Sequence, residues 1–395
     1  MRFLIIGGME RKSISDFQQL LLQWYDREKR DLPWRHTRDP YRVWVSEVML
    51  QQTRVQTVLP YFQRFVEKYP DILTLARADL QDVLKSWEKM GYYARARNLH
   101  AAARRVAGDL DGRIPGSYQA LRELPGVGDY IAAAVASIAF GEPRAVLDGN
   151  VKRVLARVLL LDSPANASAS QKGFRERADR LFDPGRPGDY NQAMMELGAV
   201  VCRPAKPLCE CCPVHRYCAA ARAGRQDEFP VRVPRKRVPK YHIAVGVVYR
   251  DDRILITRRR EAGLLGGLWE FPGGKVREGE RPEDACKREI KEEVNLTVDV
   301  GDRLAYVDHA YSHFKIGVDV YTCCYRAGEV ELNGPDDYRW ILVDEIDDYP
   351  FPGANHKFIP LIKDAGRRVT GGMCDAATLR SYPGSPRRRV LRVRR

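Results

Sequence analysis

The chain is 395 residues long, 44% apolar and 30% charged, which supplies two folded units and excludes a wholly disordered or collagen-like protein. Its formal net charge of +14 points to a polyanionic partner or, at the least, a strongly solvated surface. No apolar run approaches the roughly 20 residues of a membrane span, and residues 3–6 are too few for a secretory core, so a cytoplasmic protein that stays out of membranes is expected.

Residues 1–13 read as an extension, with Met9 as an alternative start. From 14 to 225 the pattern is helical, with Gly/Pro breaks between segments. Asp39-Pro40 marks a helix start, because Asp caps and Pro fits the first turn. The segment 43–50 is apolar nearly all round but carries Glu47. A carboxyl buried there is desolvated, its pKa rises, and it can hold and deliver a proton near neutrality. Pairing with an arginine for structure explains it equally well.

Further helices are expected over 80–87 and 94–106. Leu124-Pro-Gly-Val-Gly128 separates helical stretches at 118–124 and 129–140. Gly126 and Gly128 let the backbone turn tightly, and the N–H groups opening the next helix can face a phosphate. Asp148 stands just before the helical stretch 151–160, as a cap that also keeps it ionised. A protonated acid beside an anion is the pair that breaks a glycosidic bond: one protonates the leaving group, the other stabilises the oxocarbenium-like sugar.

Five of the nine cysteines lie between Cys202 and Cys218. Cys202, Cys209, Cys212 and Cys218 form C-x6-C-x2-C-x5-C, a thiolate set for zinc or a [4Fe-4S] cluster, and spacing alone does not choose between them. Cys211 competes with Cys212 for the third place. Arg203 and Lys206, between the first two cysteines, suit phosphate contact.

Residues 226–240 are basic, contain Pro230, Pro234 and Pro239, and read as a linker. Beyond them, strands are expected at 242–249, 253–257, 304–308, 315–325 and 338–343, with a helix at 283–294. This is an α+β unit over 241–366. Gly274 to Leu296 follows G-x5-E-x7-R-E-I-x-E-E-x-N-L, placing Glu289, Glu292 and Glu293 on one helix face, where carboxylates can hold Mg2+. A basic tail, 367–395, is expected to be disordered.

The cysteine pattern and the Leu-Pro-Gly-Val-Gly turn resemble the helix-hairpin-helix endonuclease III superfamily, in which that loop holds [4Fe-4S]. Leu32-Pro-Trp-Arg35, Ser46 to Thr53, Gly91 to His100, Leu147 to Val154 and Asn191 to Gly198 resemble the adenine DNA glycosylases, in order over most of 14–225. The Gly274–Leu296 string resembles the Nudix box of their MutT-like C-terminal domain, with Asn295 in place of glycine at a left-handed cap. The fold implied is multidomain: an all-α glycosylase with a cluster loop, then an α+β Nudix-like domain.

The resemblance implies a largely monofunctional, monomeric DNA N-glycosylase that removes adenine paired with 8-oxoguanine or guanine in duplex DNA. Glu47 would protonate adenine N7, Asp148 would stabilise the sugar cation, and Tyr130 would assist in place of a lyase lysine. Trp34, Arg35 and Gln192 would line the pocket of the flipped adenine, with Asn150 beside it, while Gln52 and Tyr92 would wedge into the base stack. Tyr311-Ser312-His313 resembles the Phe-Ser-His turn that senses 8-oxoguanine. The intact Nudix box leaves two readings open: Mg2+-dependent hydrolysis of free oxidised dGTP as a second activity, or a solvated acidic helix on a domain kept only for lesion recognition. A lyase, a nucleotide pyrophosphohydrolase and a non-catalytic DNA-binding protein are the alternatives.

Overall fold

The computed structural model describes residues 10–234 and 237–368. The expected N-terminal extension, except residues 10–13, and the basic tail beyond 368 lie outside the described residues. No helix among the described residues is long and apolar enough to cross a membrane. The chain divides into two compact units: one takes the sequence up to Arg77 and again Asn98–Arg235, the other Ala78–Arg97 and the sequence from Lys236 on.

The first unit is helical, as expected. Its helices are α1 (Arg11–Glu28), α2 (Pro40–Leu50), α3 (Val55–Lys68) and α4 (Ile72–Arg77). After the excursion through α5 (Leu80–Ser86) come α6 (Ala94–Asp109), α7 (Tyr118–Arg122), α8 (Asp129–Phe140), α9 (Gly149–Val158), α10 (Gln171–Leu181), α11 (Pro187–Glu196) and α12 (Ala219–Arg222). α1 buries Phe17, Leu21, Leu22, Trp24 and Tyr25, the inward stripe of an amphipathic helix. α2 starts as its sequence dictates: the Asp39 side chain accepts the Tyr41 N–H at 2.9 Å and Pro40 fills the first turn. α8, alanine-rich and buried on nearly every side, packs against α2, α7 and α11. Small side chains let those helices approach closely, and this brings the ends of α2, α8 and α9 to one place.

The stretch read as a linker starts against this unit. The Gln226 and Phe229 carbonyls accept the Arg157 guanidinium at 2.8 and 2.9 Å, and Val231 accepts the Ala165 N–H at 2.9 Å.

The second unit is built on a seven-stranded sheet: β1 (Lys240–Arg250), β2 (Arg253–Arg258), β3 (Trp269–Glu270), β4 (Gly273–Lys275), β5 (Thr297–Ala310), β6 (Lys315–Ala327) and β7 (Asp337–Leu342). The main path is β3-β2-β1-β6-β5, with β4 on β1 and β7 on β2. β1 and β6 are parallel and the remaining pairs antiparallel. α13 (Pro282–Val294) covers one face, over Ala244, Val248, Leu255 and Tyr321, and α14 (Ile359–Arg368) covers the other, over Ile254, Ile256, Phe271 and Val320. β1 therefore alternates between two cores, as a strand buried on both faces must.

Ala78–Arg97, which sequence placed with the helical unit, is fastened to this sheet. Gln81 Nε2 donates to the Gly267 carbonyl at 3.0 Å, Trp269 Nε1 donates to Gln81 at 2.9 Å, and Arg97 donates to the Gly266 carbonyl at 2.7 Å.

Candidate active site

Glu47 is 4% exposed on the inner side of α2 and receives a hydrogen bond from the Tyr130 hydroxyl on α8. Tyr130 also reaches the Met195 sulphur at 3.3 Å. Burial pushes the Glu47 carboxyl from its ordinary 4.5 up to about 7; the Tyr130 hydroxyl and Arg35 oppose this, and the Asp148 charge adds to it. Burial and the two carboxylates hold the Tyr130 phenol well above its usual range, so it stays a neutral donor.

Asp148 caps α9. Its carboxylate accepts the Val151 N–H at 2.7 Å and the Asn150 amide at 2.9 Å. The cap alone suggests a strongly acidic group, but burial outweighs these donors and raises the pKa. Glu47 and Tyr130, 83 positions apart, thus form one buried cluster with Asp148, whose charge both of them sense.

Asn150 is gripped in turn by Arg153, whose guanidinium also takes the Cys202 and Gly198 carbonyls, each at 2.8 Å. Trp34, 5% exposed, meets Phe62 edge-on at 5.2 Å. Arg35 binds Glu196 at 2.7 Å and lies over the Tyr25 ring at 5.4 Å. Gln192 turns back to the Gly188 carbonyl of its own helix at 3.4 Å. Gln52 sits just past α2 in the left-handed region, at φ 59°, a strained place for a non-glycine residue.

Several residues here had no role in the sequence reading. Asn191 accepts the Val146 N–H at 2.9 Å and donates to Ser137 at 2.8 Å and to the Arg144 carbonyl at 2.7 Å, fixing the segment that leads to Asp148. Glu196 is 1% exposed. The Asn191–Gly198 string that carries the resemblance contains both residues, but nothing in it assigned them a role.

The hairpin between α7 and α8 differs in one respect from expectation. Gly126 is left-handed at φ 71°, and a Cβ there would come within 2.4 Å of Asn98. Gly128 has φ −85° and open space on its Cβ side, so it serves as an uncrowded N-cap rather than as a turn residue.

Cys202, Cys209, Cys212 and Cys218 line one hollow, walled by Val154, Leu197 and Val201 and partly open to solvent. Cys211 is exposed and is not among the lining residues, whereas Cys212 is. Burial pushes the Cys212 thiol up to about 12, and Arg157 approaches the Cys202 sulphur at 3.3 Å. Four thiols around a shared apolar hollow, with a guanidinium on one of them, fit a thiolate-bound cluster. They do not close on a point: no three His, Cys, Asp or Glu among the described residues converge as ligands of a single ion.

The same holds for the acidic face of α13. Arg288 spans Glu280 at 2.7 Å, Glu289 at 2.7 Å and Glu292 at 3.0 Å, while Glu293 accepts the Gly273 N–H at 3.1 Å. Burial, then the neighbouring Glu270 carboxylate, pushes Glu293 up to about 8. Glu270 itself pairs with Arg259 at 2.6 Å. Asn295 ends the helix at φ 57°, the left-handed cap expected of it.

Tyr311, Ser312 and His313 form the tight turn joining β5 and β6, closed by the Tyr311 N–H on the Phe314 carbonyl at 2.9 Å. Tyr311 stacks on Phe314 at 4.8 Å, and Ser312 and His313 are exposed. Tyr92, itself left-handed at φ 50°, bonds its hydroxyl to Ser312, so two residues singled out separately meet in the second unit.

Residues 45–179 match the HhH-GPD superfamily of base excision DNA repair proteins, and residues 244–361 match the NUDIX domain. The structure is similar to that of a thermostable thymine-DNA glycosylase, with TM-score 0.50 and 33% identity over 54% of this chain and 98% of that one. A helix-hairpin-helix base excision glycosylase followed by a Nudix-type unit is therefore the class of protein that fold and site define. Rat adenine DNA glycosylase is 36% identical over 84% of this chain and 75% of its own length; the human enzyme is 36% identical over 84% and 71%. The chain belongs to the adenine DNA glycosylase family, enzymes that hydrolyse a base–sugar bond in DNA.

Proposed function

We propose that the enzyme removes adenine paired with 8-oxoguanine or guanine, with Glu47 as the acid and Asp148 as the stabilising anion. The hydrogen bond from the Tyr130 hydroxyl to Glu47 carries this reading. It holds in place a carboxyl that is half protonated near pH 7, where a general acid transfers its proton best. Protonation of the purine lets its bond to C1′ break with the electron pair leaving on adenine; Asp148, fixed as a cap, compensates the positive charge left on the sugar until water adds at C1′ and gives up a proton to solvent. Tyr130 stands beside the acid as a neutral phenol and offers no amine for a Schiff base, which supports a simple glycosylase over a lyase. The adenine must leave the helix to reach this buried group. Trp34, Arg35 and Gln192 would line its pocket, Gln52 and Tyr92 would fill the stack, and the Tyr311–His313 turn would read the oxidised guanine. The test is single-turnover adenine release from 8-oxoguanine:adenine and guanine:adenine duplexes, which should favour the oxidised lesion and leave an intact abasic strand.

Cys202, Cys209, Cys212 and Cys218 would hold the [4Fe-4S] cluster, which staples the loop carrying Arg203 and Lys206. Gly126, Gly128 and the first N–H groups of α8 would take a backbone phosphate.

The crowding of Glu293, Glu270 and Glu289 supports a second reading, hydrolysis of free oxidised dGTP by the Nudix unit. Mg2+ bound there would neutralise a pyrophosphate and orient water. The residues do the rest: Glu289, Glu292 and Glu293 supply the negative face, and Arg288 holds two of them in place. 8-oxo-dGTP left intact by the full-length protein in Mg2+ ends this reading.

A further inference from the structure

Residues 141–148, which lead from α8 to Asp148, belong to no helix or strand. Their buried backbone groups must therefore find partners elsewhere. Three of these groups, on consecutive residues, are taken by side chains from two helices. Asn191 of α11 donates Nδ2 to the Arg144 carbonyl at 2.7 Å and accepts the Val146 N–H on Oδ1 at 2.9 Å. Between them, Arg175 of α10 donates Nη1 to the Ala145 carbonyl at 2.6 Å. Val146 and Asn191 are both buried, so water does not compete for the bond between them.

Asn191 faces α8 as well. Its Nδ2 also donates to Ser137 Oγ at 2.8 Å, and Ser137 is itself buried. Gly188, at the start of α11, permits this approach: a Cβ there would come within 2.9 Å of the Ser137 carbonyl oxygen and of the Ile138 Cα. Ser137 lies about two turns along α8 from Tyr130, and Tyr130 donates its hydroxyl to Glu47. The bonds of the Asp148 carboxylate run forward, to Asn150 and Val151. One buried amide therefore joins the segment that delivers Asp148 to the helix whose hydroxyl rests on Glu47. A displacement of about 1 Å between groups that act on one reacting bond can cost about a hundredfold in rate.

We propose that Asn191 and Arg175 are positioning residues for adenine release: they clamp residues 144–146, and through the bond from Asn191 to Ser137 the clamp sets the Asp148 carboxylate against the Tyr130–Glu47 pair. Neither residue needs to touch the DNA. The inference rests on the reading of Asp148 as the anion that stabilises the sugar cation.

The test reads the position of that anion by its preference for charge. In an 8-oxoguanine duplex the adenosine is replaced by a cationic pyrrolidine abasic analogue, which carries the positive charge of the transition state, or by a neutral tetrahydrofuran analogue. The phosphates are the same in both, so their share of the affinity cancels in the ratio of the two Kd values. The full-length wild type should prefer the cation. Asn191→Ala should cut that preference about tenfold and slow single-turnover adenine release about 10- to 100-fold, while the tetrahydrofuran duplex is bound as before. Arg175→Gln, which frees only the Ala145 carbonyl, should cut the preference about threefold. An unmoved preference in either variant overturns the proposal, even where release is slowed, because a merely loosened fold weakens both duplexes alike. Should Asn191→Ala fail to fold, Arg175→Gln alone decides by the same criterion. A wild type that binds both analogues equally removes the reading of Asp148 instead, and the proposal with it.

Discussion

Arg153 reaches the Asn150 side chain at 2.8 Å with the same guanidinium that holds the Cys202 carbonyl at 2.8 Å. Asn150 in turn donates to Asp148 at 2.9 Å, so the proposed stabilising anion and the first cysteine of the loop share one chain of hydrogen bonds. Arg153 is 4% exposed, and burial lowers its pKa, which the nearby Cys202 and Asp148 oppose. Arg153→Met should therefore release Asn150 and slow adenine release about 10- to 100-fold, the usual effect of losing a residue that orients a ligand or catalytic group. The measurement is single-turnover rate at saturating enzyme; an unchanged rate removes the link.

The raised Glu47 pKa has a consequence for stability. The folded value, about 7, lies above the ordinary 4.5, so the unfolded chain gives up the proton first. Stability from this group is present at low pH, falls as pH climbs from 4.5 through 7, and is fully lost above. Glu47→Gln, which cannot ionise, should gain about 1–3 kcal/mol over the wild type at pH 8 and little at pH 4. Thermal unfolding of both proteins across that range checks this, and it should accompany a loss of adenine release.

The two hairpin glycines should respond differently. Gly126→Ala meets both a left-handed backbone and Asn98, and should cost about 1–3 kcal/mol. Gly128→Ala has ordinary φ and free space, and should cost less than about 1 kcal/mol. Denaturant midpoints of the two variants decide this.

Cys211 and Cys212 should separate as cleanly. Cys212→Ser should remove the visible iron–sulphur absorbance and lower stability, whereas Cys211→Ser, exposed and away from the hollow, should keep both. Loss of the chromophore in Cys211→Ser would reverse the ligand assignment.

Much of this was legible in the sequence because the signals were local. The cap at Asp39, the break at Gly126, the valine-rich run of β1 and the left-handed Asn295 each follow from a few neighbouring residues. The two shortest strands, Trp269–Glu270 and Gly273–Lys275, were not legible, because two or three residues carry no periodicity. Nor was the attachment of Ala78–Arg97 to the sheet, where Gln81 meets Gly267 across 186 positions. Glu196 was silent for the same reason: its partners Arg30 and Arg35 lie 166 and 161 positions away, and no pattern within α11 announces them. Distant pairings of polar groups are set by how helices stack, which sequence texture does not report.

In the proposed reaction Glu47 and Asp148 divide the labour, and adenine release from an 8-oxoguanine:adenine duplex by the wild type, Glu47→Gln and Asp148→Asn under single-turnover conditions tests that division. Either substitution should slow release by about a hundredfold or more while duplex binding persists. Release that continues undiminished in either variant contradicts the account.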